Sequence, residues 1–504
     1  MTVSTTAFTR ITQRELESYL WGAAVRLRGL IDAGDYKQFI FPLVFLKRLS
    51  DVYDEEYQRA LVESAGDEIY ATFAHHHRFA IPDGAHWSDI RETTVNVGPS
   101  ILRAMQAIEA ANPDTLTGVF GDGDWGNKDL LSDRILVDLV EHFSARTLSI
   151  ANLPEDELGQ GYEFLIKKFA DDSGHTAQEF YTNRTLVHLM TMMLEPHSGE
   201  SIYDPTCGTG GMLISAAAEV RRQGREWRNL RLYGQELNYG TSAIARMNLF
   251  LHGVADGEIA HGDTLAEPAF LDPAGRLRTF DAVLANPPYS IKNWNRAKFT
   301  KDPFGRNTWG VPPQGRADYA FFQHIAHSLN PETGRAAILF PHGVLFRREE
   351  KALREALTKT DLLEAVIGLG PGLFYNSPME AVVVTLRARK PAEHRARVLF
   401  INAVNEYSRE QAQSFLREGH QQRILGAYRA WEDELGFAAV ASRDQIAAKG
   451  YSLAIPLYVA GRTAGIDPDA LALGEAVTTW RDSACQADTA INDVLALLRR
   501  EIAR

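Results

Sequence analysis

The chain has 504 residues, 45% hydrophobic and 23% charged; these are globular fractions and exclude disorder, collagen-like repeats and low-complexity filaments as its main state. With 65 acidic against 53 basic side chains the net charge is −12, which excludes a nucleic-acid binder held by overall charge, so any basic surface must be local or supplied by a partner. At roughly 150 residues per domain the length predicts two to four domains, and the two cysteines, Cys207 and Cys485, exclude a disulfide scaffold and fit a reducing cytosol.

The first 150 residues read as helical. Thr12 followed by Glu15 is a capping-box pattern. Leu16, Leu20, Ala23, Ala24, Leu27, Leu30 and Ile31 then recur at helical spacing. The apolar run 39–46 begins a helix apolar on most faces, which must be buried. At eight residues it is far short of a membrane span, and the first twenty residues carry no apolar signal-peptide core, so a cytoplasmic protein without a membrane segment is expected.

From about residue 200 short apolar runs alternate with helical patterns. Candidate strands end at Asp204, at Gln235-Glu236, at Gly262-Asp263 and at Asn286-Pro287-Pro288-Tyr289; others cover 336–340, 363–367, 381–386 and 398–402. Helices are predicted over 212–222 and 243–252. This alternation predicts an α/β fold with a doubly wound, mostly parallel sheet, whose chemistry sits at the carboxyl ends of the strands. The segment from about residue 418 reads as helical again, in two blocks broken near Lys449-Gly450.

The turn from Asp204 to Gly211 has the form Gly-x-Gly-Gly after a strand, with Gly208, Thr209 and Gly210 at its centre. Glycines there let backbone N–H groups approach a ligand at a helix N-terminus. Glu236 follows 32 residues after Asp204, ending the second strand, where a carboxylate can accept both hydroxyls of a ribose. No lysine-bearing phosphate cradle is present, so the pattern points to an adenosine ligand without phosphates, and S-adenosylmethionine fits. Asp263 is placed to accept from the adenine amino group.

Asn286-Pro287-Pro288-Tyr289 is the sharpest signal. Two prolines cannot continue a ladder and hold the backbone rigid. The Asn286 side-chain carbonyl and the Pro287 backbone carbonyl make two acceptors for an exocyclic amine, and Tyr289 supplies a flat face. Such acceptors free the nitrogen lone pair and bear the charge that develops as a methyl group arrives. No metal is expected.

The motif set resembles an amino-methyltransferase of the gamma order and, more narrowly, the modification (M) subunit of type I restriction–modification systems, an adenine-N6 DNA methyltransferase. The stretches 15–57, 161–166 and 179–182, 317–321, 369–375 and 451–453 resemble the blocks of that family in order. Asn183 stands where the family usually has proline, Gln178 where it commonly has glycine and Leu457 where it commonly has arginine.

The resemblance implies three parts: a helical N-terminal domain (1–155), a Rossmann-like S-adenosylmethionine-dependent methyltransferase domain (156–415), and a helical C-terminal tail for subunit assembly (416–504). It implies that Glu179, Phe180, Tyr181 and Thr182 close over the methionine end of the cofactor. It implies that Phe374 stacks on the target base opposite Tyr289 once the base is flipped from the duplex. The segment 291–316 carries Lys292, Arg296, Lys298, Lys301, Arg306 and Arg316 against one acid, Asp302, with Trp294, Phe299, Phe304 and Trp309 interleaved. Of these, Lys292, Arg296, Lys298, Arg306 and Arg316 are the expected DNA contacts, with aromatic stacking beside them. No segment reads as a target-recognition domain. The resemblance implies as partners double-stranded DNA and a separate specificity (S) subunit that takes over target recognition, with two copies of this chain per specificity subunit and room for a restriction (R) subunit. The competing expectations are an N-methyltransferase acting on RNA or a protein glutamine, and a non-catalytic subunit that senses S-adenosylmethionine.

Overall fold

The computed structural model describes residues 11–31, 35–172, 182–254, 256–373, 380–410 and 413–459. Its first part is helical, with α1 (Gln13–Leu27), α2 (Tyr36–Glu63), α3 (Glu68–Ala71), α4 (Trp87–Glu92), α5 (Val97–Ala111), α6 (Asp133–Ser144), α7 (Glu155–Asp172) and α8 (Arg184–Leu194). The capping box forms: Glu15 accepts from the Thr12 N–H at 2.9 Å, and Thr12 Oγ1 accepts from the Glu15 N–H. Residues 39–46 are buried along α2, which packs against α1, α4 and α7, so no face of that run meets solvent.

The remaining strands are β1 (Ser201–Asp204), β2 (Arg231–Glu236), β3 (Glu258–His261), β4 (Ala282–Ala285), β5 (Arg335–Pro341), β6 (Leu363–Pro371), β7 (Glu380–Arg387), β8 (Arg397–Ala403), β9 (Ser408–Glu410), β10 (Gln413–Phe415) and β11 (Ala438–Ser442). Between and after them lie α9 (Gly211–Arg222), α10 (Tyr239–Leu251), α11 (Arg296–Thr300), α12 (Asp318–His327), α13 (Lys351–Thr360), α14 (Glu418–Ala430) and α15 (Arg443–Ala448). Nine strands form one sheet in the order β11-β8-β6-β7-β5-β4-β1-β2-β3, and β9 pairs with β10 as a separate ribbon.

Strands β3, β2, β1, β4 and β5 run parallel, β7 is antiparallel to both its neighbours, and β6 is parallel to β8. The α/β, mostly parallel fold read from the sequence is the one observed. The chain winds outward from β1 to β3 and returns to lay β4 on the other side of β1. That reversal is a topological switch point, where such sheets place their ligands.

Both sheet faces are covered, and alternate residues of one strand point to opposite faces. Ile202, Leu284 and Leu339 join the core beneath α8, α9 and α14, while Tyr203, Val283 and Ile338 join the core beneath α12 and α13. Helix α10 serves two cores. Its Ile244, Met247 and Leu251 pack into the N-terminal helices, and its Ala245 and Leu249 pack on the sheet.

One element corrects the sequence reading. The pattern after 415 predicts helix, yet 438–442 is a strand that pairs antiparallel with β8 and extends the sheet. Its sequence, Ala-Ala-Val-Ala-Ser, is alanine-rich and favours helix locally; the open edge of β8 decides otherwise. Helices α14 and α15 fall within the predicted helical blocks, and the remainder of the expected tail, 460–504, lies outside the described residues.

Candidate active site

The turns after β1, β2 and β3 converge at their carboxyl ends. Asp204 is buried, and its Oδ1 accepts from the Thr206 N–H at 3.0 Å. Gly210 caps α9 in the left-handed region (φ 80°), which a side chain rarely adopts. Gly211 lies directly under the Arg184 guanidinium, so a side chain there would require that guanidinium to shift. The Glu236 carboxylate bridges two turns, accepting from the Gly208 N–H at 3.0 Å and from the Asn238 N–H at 2.8 Å.

The third strand end is tied to the same place. Gly262 N–H donates to the Glu236 carbonyl at 2.9 Å, and Thr264 Oγ1 donates to the Pro205 carbonyl at 2.6 Å. Asp263 folds its own turn, its Oδ1 accepting from the Leu265 N–H at 2.9 Å and the Ala266 N–H at 3.1 Å. Burial raises the Asp204 carboxyl to about 8, and the nearby Glu236 charge adds to the rise. Cys207 is buried against Gly234, where a Cβ falls 2.9 Å from its Sγ, and burial pushes its thiol well up.

Asn286 follows β4, next to β1 in the sheet. Its Nδ2 donates to Thr182 Oγ1 at 2.9 Å, and its Oδ1 accepts from the Tyr289 hydroxyl. The side-chain carbonyl expected to receive a substrate amine is thus aimed by two neighbours and holds a hydroxyl proton. Tyr289 is half-buried against the sheet core, and burial raises its phenol well above the usual range, with Asp318 adding to the rise. Thr182, Arg184, Asp204, Thr206, Met212 and Asn286 line one cavity, so the Asn-Pro-Pro-Tyr segment and the glycine turn share a site.

Several supporting residues carry no motif in the sequence. Arg184 pairs with Glu163 of α7. Glu163 accepts from Asn248 Nδ2 at 2.7 Å, and the same nitrogen donates to the Thr209 carbonyl at 2.8 Å. An asparagine inside the apolar run of α10 was the available signal. Asn183, at the position where proline is usual, caps α8: its Oδ1 accepts from the Thr185 N–H at 3.0 Å and its Nδ2 donates to the Ser414 carbonyl at 2.8 Å. Behind the Asn-Pro-Pro-Tyr segment, Ser290 N–H donates to Asp318 Oδ1 at 2.9 Å, and Asp318 Oδ2 accepts from Arg347 at 2.8 Å.

The expected DNA-contacting set divides. Lys292 and Lys298 are exposed, Lys298 within 3.4 Å of Glu267. Arg296 donates to the Pro312 carbonyl at 2.7 Å, and Arg316 donates to Ser290 Oγ at 3.1 Å. Arg306 is a correction. Its side chain is 1% exposed, pairs with the equally buried Asp302 at 2.7 Å, and donates to the Thr264 and Leu265 carbonyls at 3.0 and 2.7 Å. A guanidinium committed in this way fastens the loop to the turn after β3 and does not reach a phosphate. Phe299 and Trp309 are likewise buried in cores, so they offer no stacking face. Glu179, Phe180, Tyr181 and Phe374 lie outside the described residues.

A family model described as N-6 DNA Methylase matches residues 154–465, and one described as HsdM N-terminal domain matches residues 16–143. The type I restriction enzyme MjaIX methylase subunit of Methanocaldococcus jannaschii is 29% identical over 484 residues, covering 88% of this chain and 84% of that protein. The type I restriction enzyme MpnII methylase subunit of Mycoplasma pneumoniae is 25% identical over 535 residues, covering 96% of this chain and 97% of that protein. Among solved structures, the type I restriction-modification system methyltransferase subunit from Streptococcus thermophilus matches with a TM-score of 0.77 and 30% identity, over 89% of this chain and 100% of that one.

Proposed function

The chain belongs to the N-6 DNA methylase family, as a methylase subunit of type I restriction–modification systems, and from that membership we propose how its site works. It is an adenine-specific DNA methyltransferase, and it transfers a methyl group from S-adenosylmethionine to adenine N6 in double-stranded DNA. The observation that carries this reading is the Asn286 carboxamide, aimed by Thr182 and Tyr289 into the cavity lined by the glycine turn.

The donor set fits that cofactor. Two carboxyl groups, Asp204 and Glu236, stand at adjacent strand ends beside the glycine turn, which suits a cationic ligand bearing ribose hydroxyls. When bound, the cofactor supplies an electrophilic methyl group on a sulfonium. Glu236 accepts from the ribose, Asp204 faces the cationic end, and Asp263 accepts from the adenine amine.

The target base leaves the duplex, at a cost of a few kcal/mol, to reach this site. Tyr289 on one face, and Phe374 on the other, stack on it. Its amine displaces the Tyr289 hydroxyl from Asn286 Oδ1 and takes the Pro287 carbonyl as its second acceptor. Both acceptors gain strength as the nitrogen becomes tetrahedral and positive, so they favour the transition state over the ground state. Lys292, Lys298, Arg296 and Arg316 border the same loop and meet the phosphates.

Target recognition falls to a separate specificity subunit, with two copies of this chain per copy of it and a restriction subunit joining the complex. None of the described helices is long and apolar enough to cross a membrane, and the reaction is assigned to the cytoplasm.

The test is to co-express the chain with its specificity subunit, supply methyl-labelled S-adenosylmethionine and a target duplex, and digest the products for mass spectrometry. Label in N6-methyladenine of the duplex is expected. Label in RNA, in cytosine or in a protein glutamine would overturn the assignment.

A further inference from the structure

Ser290, directly after Tyr289, lies in the left-handed region with φ 52°. A non-glycine residue stays there only where its surroundings hold it. Three groups do so. Asp318 Oδ1 accepts the Ser290 N–H at 2.9 Å, Arg316 donates to Ser290 Oγ at 3.1 Å, and Arg347 pairs with the other Asp318 oxygen at 2.8 Å.

We propose that Asp318 is a positioning residue for the reaction: it fixes the turn that sets Tyr289 and, through the Tyr289 hydroxyl, the Asn286 carboxamide. This rests on the methyltransferase reading above and adds a residue to it.

Several features argue that the arrangement is built for the turn. Asp318 is buried and opens α12, where the helix N-terminus favours a carboxylate. Arg347 passes over Gly343, where a Cβ falls 2.6 Å from its Nε, so a side chain there would require the guanidinium to shift. Its second carboxylate, the buried Glu350, is farther away at 3.5 Å, which leaves Asp318 as its nearer partner. The catalytic segment itself contributes no acid to this pair; it offers only a backbone N–H. The charge pair therefore acts on the reaction through the shape of one turn.

The experiment uses the full chain in complex with its specificity subunit on a target duplex. Asp318→Ala is expected to lower kcat roughly 10²-fold, the scale of an ångström-sized misplacement of a reacting group, with the cofactor KM near wild type. Asp318→Asn keeps an acceptor for the Ser290 N–H and is expected to keep most of kcat. Adding Ser290→Gly to Asp318→Ala is expected to recover much of the loss, because glycine holds a positive φ unaided. Hydrogen exchange, which needs no activity, is expected to show protection lost at the Ser290 amide in Asp318→Ala. Wild-type kcat in Asp318→Ala, or a loss that Asp318→Asn shares and Ser290→Gly does not repair, would overturn the proposal. A wild-type complex that methylates no adenine would overturn the underlying reading instead, and the Ser290 exchange result would still decide the role of Asp318 in the turn.

Discussion

Asn286 Nδ2 donates to Thr182 Oγ1 at 2.9 Å across 104 positions of sequence, which ties the Asn-Pro-Pro-Tyr segment to the stretch that precedes β1. A primary amide has one oxygen and one nitrogen, so occupying the nitrogen fixes where the oxygen points. The bond therefore orients the acceptor that the target amine needs.

Thr182→Val keeps the shape and removes the acceptor. One neutral hydrogen bond is worth about 1 kcal/mol, so kcat should fall on the order of tenfold. Thr182→Ser should restore the rate. Steady-state methylation of a short duplex by the assembled complex measures both, and an unimpaired Thr182→Val would show that the amide is oriented by Tyr289 alone.

Glu236→Ala should weaken cofactor binding by two routes. It removes the expected ribose acceptor, and it strands the Gly208 and Asn238 N–H groups that shape the two turns. Bonds to a charged group contribute about 1.5–3 kcal/mol, so a loss on the order of 10²-fold in Kd follows. Glu236→Gln keeps one acceptor and should lose less. Titration calorimetry with S-adenosylmethionine reads this directly, and equal affinity in wild type and Glu236→Ala would mean that the cofactor sits elsewhere.

Asp204 carries a pH signature. Its carboxyl titrates near 4 in the unfolded chain and at about 8 when buried, so between these values the folded state holds a proton that the unfolded state has lost. Stability contributed by this group is full below about pH 4 and declines as pH rises through that window. Asp204→Asn stays neutral throughout, so its melting temperature relative to wild type should rise from about pH 5 to about pH 8. A cationic cofactor reverses the preference, and its binding should release a proton and tighten as pH rises toward about 8, with a flatter profile in Asp204→Asn. A pH-independent difference in melting temperature would show that the carboxyl ionises normally.

Much of this site was legible in sequence because parallel strands are apolar runs and their polar ends stand out. Asp204, Glu236 and Asn286 each close such a run, Asp263 follows the short edge strand β3, and the sheet brings the four ends together. Arg306 was misread because a basic residue in a loop looks the same whether it faces solvent or a buried carboxylate. The partner, Asp302, stood four positions before it. Strand β11 was hidden because alanine favours helix locally and only the edge of β8 makes it a strand. The Asp318–Arg347 pair joins residues 29 positions apart and has no local pattern.

Arg306 and Lys292 therefore separate two kinds of basic residue in one loop. Arg306→Ala strands a buried carboxylate and should cost about 3–5 kcal/mol of stability while leaving the salt dependence of DNA binding unchanged. Lys292→Ala should leave the melting temperature near wild type and lower the salt slope by about 1. Calorimetric unfolding and salt-titrated binding distinguish them; a reduced salt slope in Arg306→Ala at intact stability would return that residue to the DNA surface.

The most direct test of the mechanism is Asn286→Ala, assembled with its specificity subunit and assayed on a target duplex. Cofactor affinity by calorimetry should stay near wild type, because Glu236 and the glycine turn are untouched. N6-methyladenine, measured by mass spectrometry of digested DNA, should fall on the order of 10²–10³-fold, the cost of one lost hydrogen bond at a developing charge. Methylation at the wild-type rate in Asn286→Ala would place the acceptors of the amine elsewhere and contradict the mechanism.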